Sequence, residues 1–265
     1  MDPILNIGIK AARRAGGLII RYLDRLEQLT VEKKGRRDFV SELDRAAEDD
    51  IIETVHYTYP NHRILAEESG SHDGAEQKPD EDFEWVIDPL DGTTNFLHGY
   101  PHFCVSIGVK HKGVMEYGII FDPMRDELFT ACRSKGAQLN NRRIRVSGKS
   151  SLNEAMVGAG FPLRNIDRLD GTLRVLKGVL PKVSDIKVSG SAALDLAYVA
   201  CGRLDGYWEA GLKPWDMAAG SLMVREAGGL VADYSGEQDY LDSGNIVAAN
   251  PRMFNELMGI VKTRS

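Results

Sequence analysis

Trp85-Val86-Ile87-Asp88-Pro89-Leu90-Asp91-Gly92-Thr93-Thr94-Asn95-Phe96 is the stretch around which the rest of the chain can be ordered. Its apolar run Trp85-Val86-Ile87 reads as a β-strand that ends at Asp88 and delivers that carboxylate to a sheet edge. Pro89 and Gly92 shape a tight turn, and Thr93-Thr94-Asn95 can open a helix. Two carboxylates and a helix N-terminus then converge. This suits phosphate chemistry, since carboxylate oxygens bind hard Mg²⁺ and the N–H groups of Gly92 and Thr93 can receive phosphate oxygens. The same residues also suit a plain turn capped by Asp88 and Asp91, because Asp-x-x-Asp spacings are common.

Upstream, Ile4, Ile7, Ala11, Ala15, Leu18 and Tyr22 recur at helical spacing, and Leu43, Ala47, Ile51 and Val55 repeat the pattern. Between these helices, Glu32-Lys33-Lys34-Gly35-Arg36-Arg37-Asp38 has no apolar periodicity and reads as an exposed loop. A polar stretch from Gly70 to Asp82 precedes the Trp85 strand. Downstream, Phe103, Val105, Ile107 and Val109 alternate, and Gly113, Pro123 and Asn140-Asn141 punctuate further short runs, as in an antiparallel meander. After about residue 150 the elements alternate. Strands are expected near Met156 to Gly160, Tyr207, 230 and 246, with helices near 170 to 180, 192 to 201, Asp216 to Ala227 and beyond Pro251. The chain is therefore read as a layered α/β protein, with residues 1–150 an N-terminal α+β half and 151–265 a C-terminal α/β half of one continuous unit.

Composition narrows the classes. With 265 residues, 43% hydrophobic and 27% charged, the chain can bury a large core. A net charge of −6 and a pI near 5.6 argue against direct nucleic-acid binding, although bound divalent cations can invert the local field for a phosphorylated ligand. Cys104, Cys132 and Cys201 are widely spaced, with no CxxC pair, and read as small buried hydrophobes. No apolar run approaches the roughly 20 residues of a membrane span, and the N-terminus lacks the order of a signal peptide, so a reduced, cytoplasmic protein is expected.

Further carboxylates belong with the central stretch. Glu67, after the apolar Ile64-Leu65, stands at a strand end, where it can face a site or simply a solvated turn. Asp216 lies at the start of the apolar-periodic run Met217 to Val224, where an N-terminal cap explains it almost as well as a metal ligand does. His98 and His102 are separated by Gly99 and Pro101 and read as structural.

Two segments resemble the signatures of the inositol monophosphatase family, especially its bacterial branch: Trp85 to Asn95 and Trp215 to Gly229. With Gly190-Ser191-Ala192-Ala193-Leu194, the resemblance spans essentially the whole chain. It implies the α-β-α-β-α sandwich of the sugar-phosphatase superfamily and Mg²⁺-dependent hydrolysis of inositol 1-phosphate, inhibited by Li⁺. Carried over by residue, it makes Glu67, Asp88, Asp91 and Asp216 metal-binding carboxylates, with the Leu90 carbonyl as a further ligand. Glu67 also counts among the catalytic residues, and Thr93 and Asp44 orient or deprotonate the attacking water. Substrate contacts fall to Glu67, Leu90, Asp91, Gly92, Thr93, Lys187, Gly190, Ala192, Glu209 and Asp216. Lys33 matches a mobile-loop lysine at the entrance.

Lys187 departs from the arginine of bacterial relatives and lacks its planar, two-pronged contact. The resemblance also implies a homodimer. Sibling activities on fructose 1,6-bisphosphate, histidinol phosphate or a 3′-phosphonucleotide remain open, as does docking on transcription-complex proteins.

Overall fold

The computed structural model describes residues 2–28, 31–35, 38–75, 82–163 and 166–264, with the side chains of 27, 28, 31–35, 38–41 and 264 outside the description. Helix α1 (Pro3–Tyr22) starts as its residues dictate, with Pro3 in the first turn and Asp2 accepting the N–H of Ile4. It leads to the hairpin β1 (Val31–Gly35) and β2 (Asp38–Ser41), then α2 (Glu42–Thr58), β3 (Arg63–Ala66), β4 (Gly70–His72), β5 (Phe83–Asp91) and the short α3 (Thr93–Leu97). A meander follows: β6 (Cys104–His111), β7 (Val114–Asp122), β8 (Glu127–Cys132), β9 (Gly136–Leu139) and β10 (Arg142–Arg143).

The later part contains β11 (Met156–Ala159), α4 (Leu169–Val179), β12 (Asp185–Lys187), α5 (Ala192–Ala200), β13 (Gly206–Ala210) and α6 (Pro214–Glu226). It closes with β14 (Leu230–Ala232), α7 (Tyr240–Ser243), β15 (Asn245–Ala249) and α8 (Phe254–Arg264). Among the described residues, no helix is long and apolar enough to cross a membrane.

Strands β10-β9-β8-β7-β6-β5-β3-β4 form an eight-stranded sheet in which only the β3/β5 pair is parallel. A five-stranded sheet runs β12-β11-β13-β15-β14, parallel at β12/β11/β13 and antiparallel beyond. Helices α1 and α2 cover one face of the large sheet through Ala11, Ile19 and Ile51 against Trp85 and Ile107. Helices α5 and α6 fill the space between the sheets, with Leu196 and Met217 packed among Ile120, Phe129, Tyr207 and Ile246. Helices α4 and α8 cover the outer face of the small sheet, with Val175 and Leu257 beside Trp208 and Val247. The five layers are the expected α-β-α-β-α sandwich. Each fully buried large apolar side chain in them contributes about 1.5–3 kcal/mol.

The middle layer explains a pattern that alternation alone does not show. Between the apolar residues of β6 stand Cys104, Ser106 and Gly108, and these too are buried, because α6 lies on that face. A Cβ on Gly108 would come within 2.7 Å of the Ala218 Cβ, and one on Gly118 within 2.7 Å of the Ala219 carbonyl oxygen. Small residues on both sides let α6 approach the sheet closely, and this brings its N-terminus to the end of β5.

Three local expectations change. The charged segment expected as a loop is paired as the β1/β2 hairpin, Glu32 opposite Val40 and Lys33 opposite Phe39. Ladder bonds use only backbone groups, so a charged hairpin leaves no apolar alternation to read; residues 36 and 37 and the Lys33 side chain lie outside the described residues. Strand β5 passes Asp88 and continues to Asp91, with its register shifting between Asp88 and Asp91, so that Pro89 sits in the bulge where no N–H is required. Helix α8 begins at Phe254 rather than at Pro251, after a turn whose N–H groups at Arg252 and Met253 donate to the Asn250 side chain.

Candidate active site

The bulge of β5 turns Asp88 and Asp91 toward the N-terminus of α6, where Asp216 waits. Ligand-capable atoms of Asp88, Asp91 and Asp216 all lie within 4.8 Å of one another. Asp88 is buried and accepts the Leu90 N–H at 3.0 Å. Its carboxyl is held well above the usual range, first by burial and then by the charges of Glu67, Asp91 and Asp216. Glu67, one residue past β3, continues the ladder through its N–H to the Ile87 carbonyl and interacts with Asp88 by hydrogen bond and like charge. It therefore joins the trio through Asp88.

Asp91 is raised by burial, opposed by two donors from the other half of the chain: Ser191 Oγ at 2.6 Å and the Ala193 N–H at 2.8 Å. Asp91 thus caps α5 from outside that helix. Asp216 resolves a choice the sequence left open by doing both things. One oxygen accepts the Lys213 N–H at 2.7 Å, as a capping residue would, while the carboxylate also belongs to the cluster.

Behind the carboxylates, Thr93 Oγ1 stands 3.0 Å from Asp44 Oδ1 and 3.1 Å from the Leu90 carbonyl oxygen, two acceptors for a single proton. Asp44 is buried on α2, one turn before Glu48. The Glu48 carboxylate accepts the N–H groups of Glu68 and Ser69 at 2.8 Å each, and the Ser69 hydroxyl at 2.6 Å. Helix α2 therefore pins both Thr93 and the turn that carries Glu67.

In front of the cluster opens a cleft of about 790 Å³, within the range of small-molecule sites. Asp91, Gly92, Thr93, Gly190, Ala192, Glu209 and Asp216, seven of the residues expected as substrate contacts, line it. Glu67, Asp88, Leu90 and Asp44 do not line it; Asp88, Leu90 and Asp44 are buried at its back. Lys187 is not brought there at all. It is exposed on the edge strand β12, two residues from Asp185 on the same side, and pairs with that carboxylate, while Val188 takes the place at the cleft.

Several contributors carry weaker sequence signals. Asn95 donates to the carbonyls of His102 (2.7 Å) and Ser189 (2.8 Å), tying the Gly92–Thr93 turn to the loop of Gly190. His102 Nε2 meets the buried Asp195 at 3.1 Å, the structural role expected of it. Glu48 was readable in principle, since it falls on the buried stripe of α2 beside Ala47 and Ile51. Ser191 directly precedes α5, a capping position whose hydroxyl serves Asp91 instead. Cys104, Cys132 and Cys201 are free thiols, of which only Cys104 is fully buried.

The donor set is hard and anionic, three carboxylates with Glu67 and a backbone carbonyl adjacent, which fits a divalent cation such as Mg²⁺ better than a soft metal. Convergent buried carboxylates repel one another, and such a cation would relieve that repulsion.

Residues 1–264 match the inositol monophosphatase family. The Nus factor SuhB of Pseudomonas aeruginosa is 50% identical over 264 residues, covering 99% of this chain and 97% of that protein. A crystal structure of the extragenic suppressor protein suhB from Bartonella henselae superposes with a TM-score of 0.94 at 42% identity, covering 98% of this chain and 99% of the other. The structure of inositol monophosphatase from Anabaena gives a TM-score of 0.85 at 38% identity, covering 99% and 96%.

Proposed function

Since the chain belongs to the inositol monophosphatase family, we propose that it is a Mg²⁺-dependent phosphatase that hydrolyses inositol 1-phosphate to inositol and phosphate. The observation that carries this reading is the meeting of Asp88, Asp91 and Asp216 with the Thr93–Asp44 pair at the back of one cleft. Glu67, Asp88, Asp91, Asp216 and the Leu90 carbonyl would hold the cation. Mg²⁺ supplies Lewis acidity there, lowering the pKa of water and neutralising charge on the phosphate and the departing alkoxide.

The chain's own groups supply the rest. Thr93 holds the attacking water through its hydroxyl, and Asp44, its acceptor at 3.0 Å, takes up the proton. Gly92 and Thr93 receive phosphate oxygens through backbone N–H groups at the cleft wall. Gly190, Ala192 and Glu209 face the polyol ring. Phosphate release from inositol 1-phosphate, fructose 1,6-bisphosphate, histidinol phosphate and a 3′-phosphonucleotide, each with Mg²⁺, with added Li⁺ and with EDTA, tests the reading. Highest turnover is expected on the inositol ester, with inhibition by Li⁺ and loss in EDTA; equal rates in EDTA would sink the metal mechanism.

The Nus factor name of the Pseudomonas aeruginosa relative supports a second reading, docking within a bacterial transcription complex. Co-purification of an inactive Asp88→Asn variant with RNA polymerase from cell extract tests docking separately from catalysis. A homodimer is proposed from the family, with sedimentation as its test.

A further inference from the structure

Two residues that have no part in the phosphate chemistry bear directly on the Glu209 carboxylate in the cleft. On β13, Tyr207 and Glu209 point to one side and Trp208 to the other, into the core beneath α4 and α8. The Glu209 carboxylate lies flat on Gly160, which extends β11 beside it through an N–H to the Trp208 carbonyl. A Cβ at position 160 would sit 1.9 Å from the carboxyl carbon and 2.0 and 2.2 Å from its oxygens, so any side chain there would push the carboxylate out of this position. On the other flank the Tyr207 hydroxyl donates to Glu209 Oε2. The Tyr207 ring is 1% exposed and wedged against Gly158, where a Cβ would come within 2.9 Å of it. Burial and the neighbouring Glu209 charge push the phenol well up, so it remains a donor throughout the working pH range.

We propose that Tyr207 and Gly160 are positioning residues that hold Glu209 as a fixed acceptor for a substrate hydroxyl, and so set the preference for hydroxyl-rich ring phosphates over plain alkyl phosphates. A free glutamate has three rotatable bonds and loses entropy when it must order on each binding event. Here the floor at Gly160 and the phenol donor order it beforehand, and binding gains from that preorganisation. An ionised carboxylate only accepts, so a ring hydroxyl adds a donor beside that of Tyr207, whereas a ligand without one displaces water from the carboxylate and returns no hydrogen bond. This inference rests on the proposal that Glu209 faces the polyol ring.

The test compares kcat and KM of wild type, Tyr207→Phe, Gly160→Ala, Glu209→Gln and the Tyr207→Phe/Glu209→Gln double variant on inositol 1-phosphate and ethyl phosphate, with Mg²⁺. For Tyr207→Phe, KM for inositol 1-phosphate is expected to rise about tenfold with kcat within about twofold, as for loss of a hydrogen bond to a charged group. The ratio of kcat/KM between the two esters should fall by a similar factor. Gly160→Ala should lower the ratio too, and the double variant no further than Glu209→Gln alone. If Glu209→Gln lowers the ratio while Tyr207→Phe leaves it at the wild-type value, the positioning role is overturned and the polyol reading stands. Equal losses of kcat on both esters would mark structural damage and overturn it too. A wild-type ratio near one would instead remove the polyol reading, and the inference with it. Should Gly160→Ala fail to fold, Tyr207→Phe, which only deletes an oxygen, still decides.

Discussion

At the scale of single residues, Asp216 shows how one side chain answers to two demands. Charges within 4.8 Å of one another repel by an amount on the order of 3 kcal/mol at an effective dielectric near 20, and the half-buried setting of Asp216 reduces that. Loss of the charge at the α6 N-terminus costs only about 0.3–1 kcal/mol, because asparagine still caps. Asp216→Asn should therefore raise the melting temperature in EDTA by a few degrees and gain less than wild type from Mg²⁺, with most turnover lost. Melts across a Mg²⁺ titration check this, and parallel curves with retained activity would leave Asp216 a cap alone. Thr93→Ala should lower kcat by about 10²-fold or more with little change in KM, since orienting water acts on the transition state; steady-state kinetics read the split.

The raised Asp88 carboxyl has a sign that can be worked through. A carboxyl that binds its proton more tightly when folded stabilises the fold below the unfolded value of about 3.9, and that contribution is lost as pH rises toward the elevated folded value. Metal-free protein should thus lose stability from about pH 4 upward relative to Asp88→Asn, and Mg²⁺ should abolish the difference. Urea titrations from pH 4 to 8, with EDTA or Mg²⁺, measure it.

At the scale of elements, α2 is the support of the site. Its buried carboxylates Asp44 and Glu48, one turn apart, face the Thr93 hydroxyl and the Glu68–Ser69 turn. Glutamine at 48 offers one acceptor oxygen to three donors, so Glu48→Gln loses a hydrogen bond to the half-buried Glu68–Ser69 turn and should cost about 0.5–1.5 kcal/mol. It should also weaken Mg²⁺ activation, because the turn carries Glu67; a urea midpoint and a Mg²⁺ activation curve read the two effects. Periodicity made α1, α2, α5 and α6 readable from sequence, and Ile64-Leu65 and Trp85-Val86-Ile87 marked the strands that carry Glu67 and Asp88. The β1/β2 hairpin was not readable, since backbone pairing needs no apolar side chains.

At the scale of the molecule, each half buries a cluster of its own, under α1 and α2 in one and under α4 and α8 in the other, but a third cluster is shared between them. Ile120 and Phe129 of the large sheet pack with Leu196, Met217 and Ile246 of the later chain, and Asp91 is held by Ser191 and Ala193. A fragment of residues 1–150 would expose the face of the large sheet on which α5 and α6 lie, and it should fail to show a cooperative melt. Calorimetry or near-ultraviolet circular dichroism of that fragment checks this, and a sharp transition would mean that the first half is an independent unit.

The sequence by itself determined the layered α/β class, the order of most elements and the chemical character of the site. These follow from periodicity, turn chemistry and the residues of Trp85 to Asn95 and Trp215 to Gly229, all local in the chain. Only the tertiary structure decided that Asp216 joins Asp88 and Asp91 while still capping its helix, that Lys187 turns away to Asp185, and that Glu48, Asn95, Tyr207 and Gly160 brace the site. The physical reason is distance along the chain. A carboxylate's partner is chosen by which elements pack together, and that depends on the close fit of α6 against Gly108 and Gly118, which no local pattern encodes.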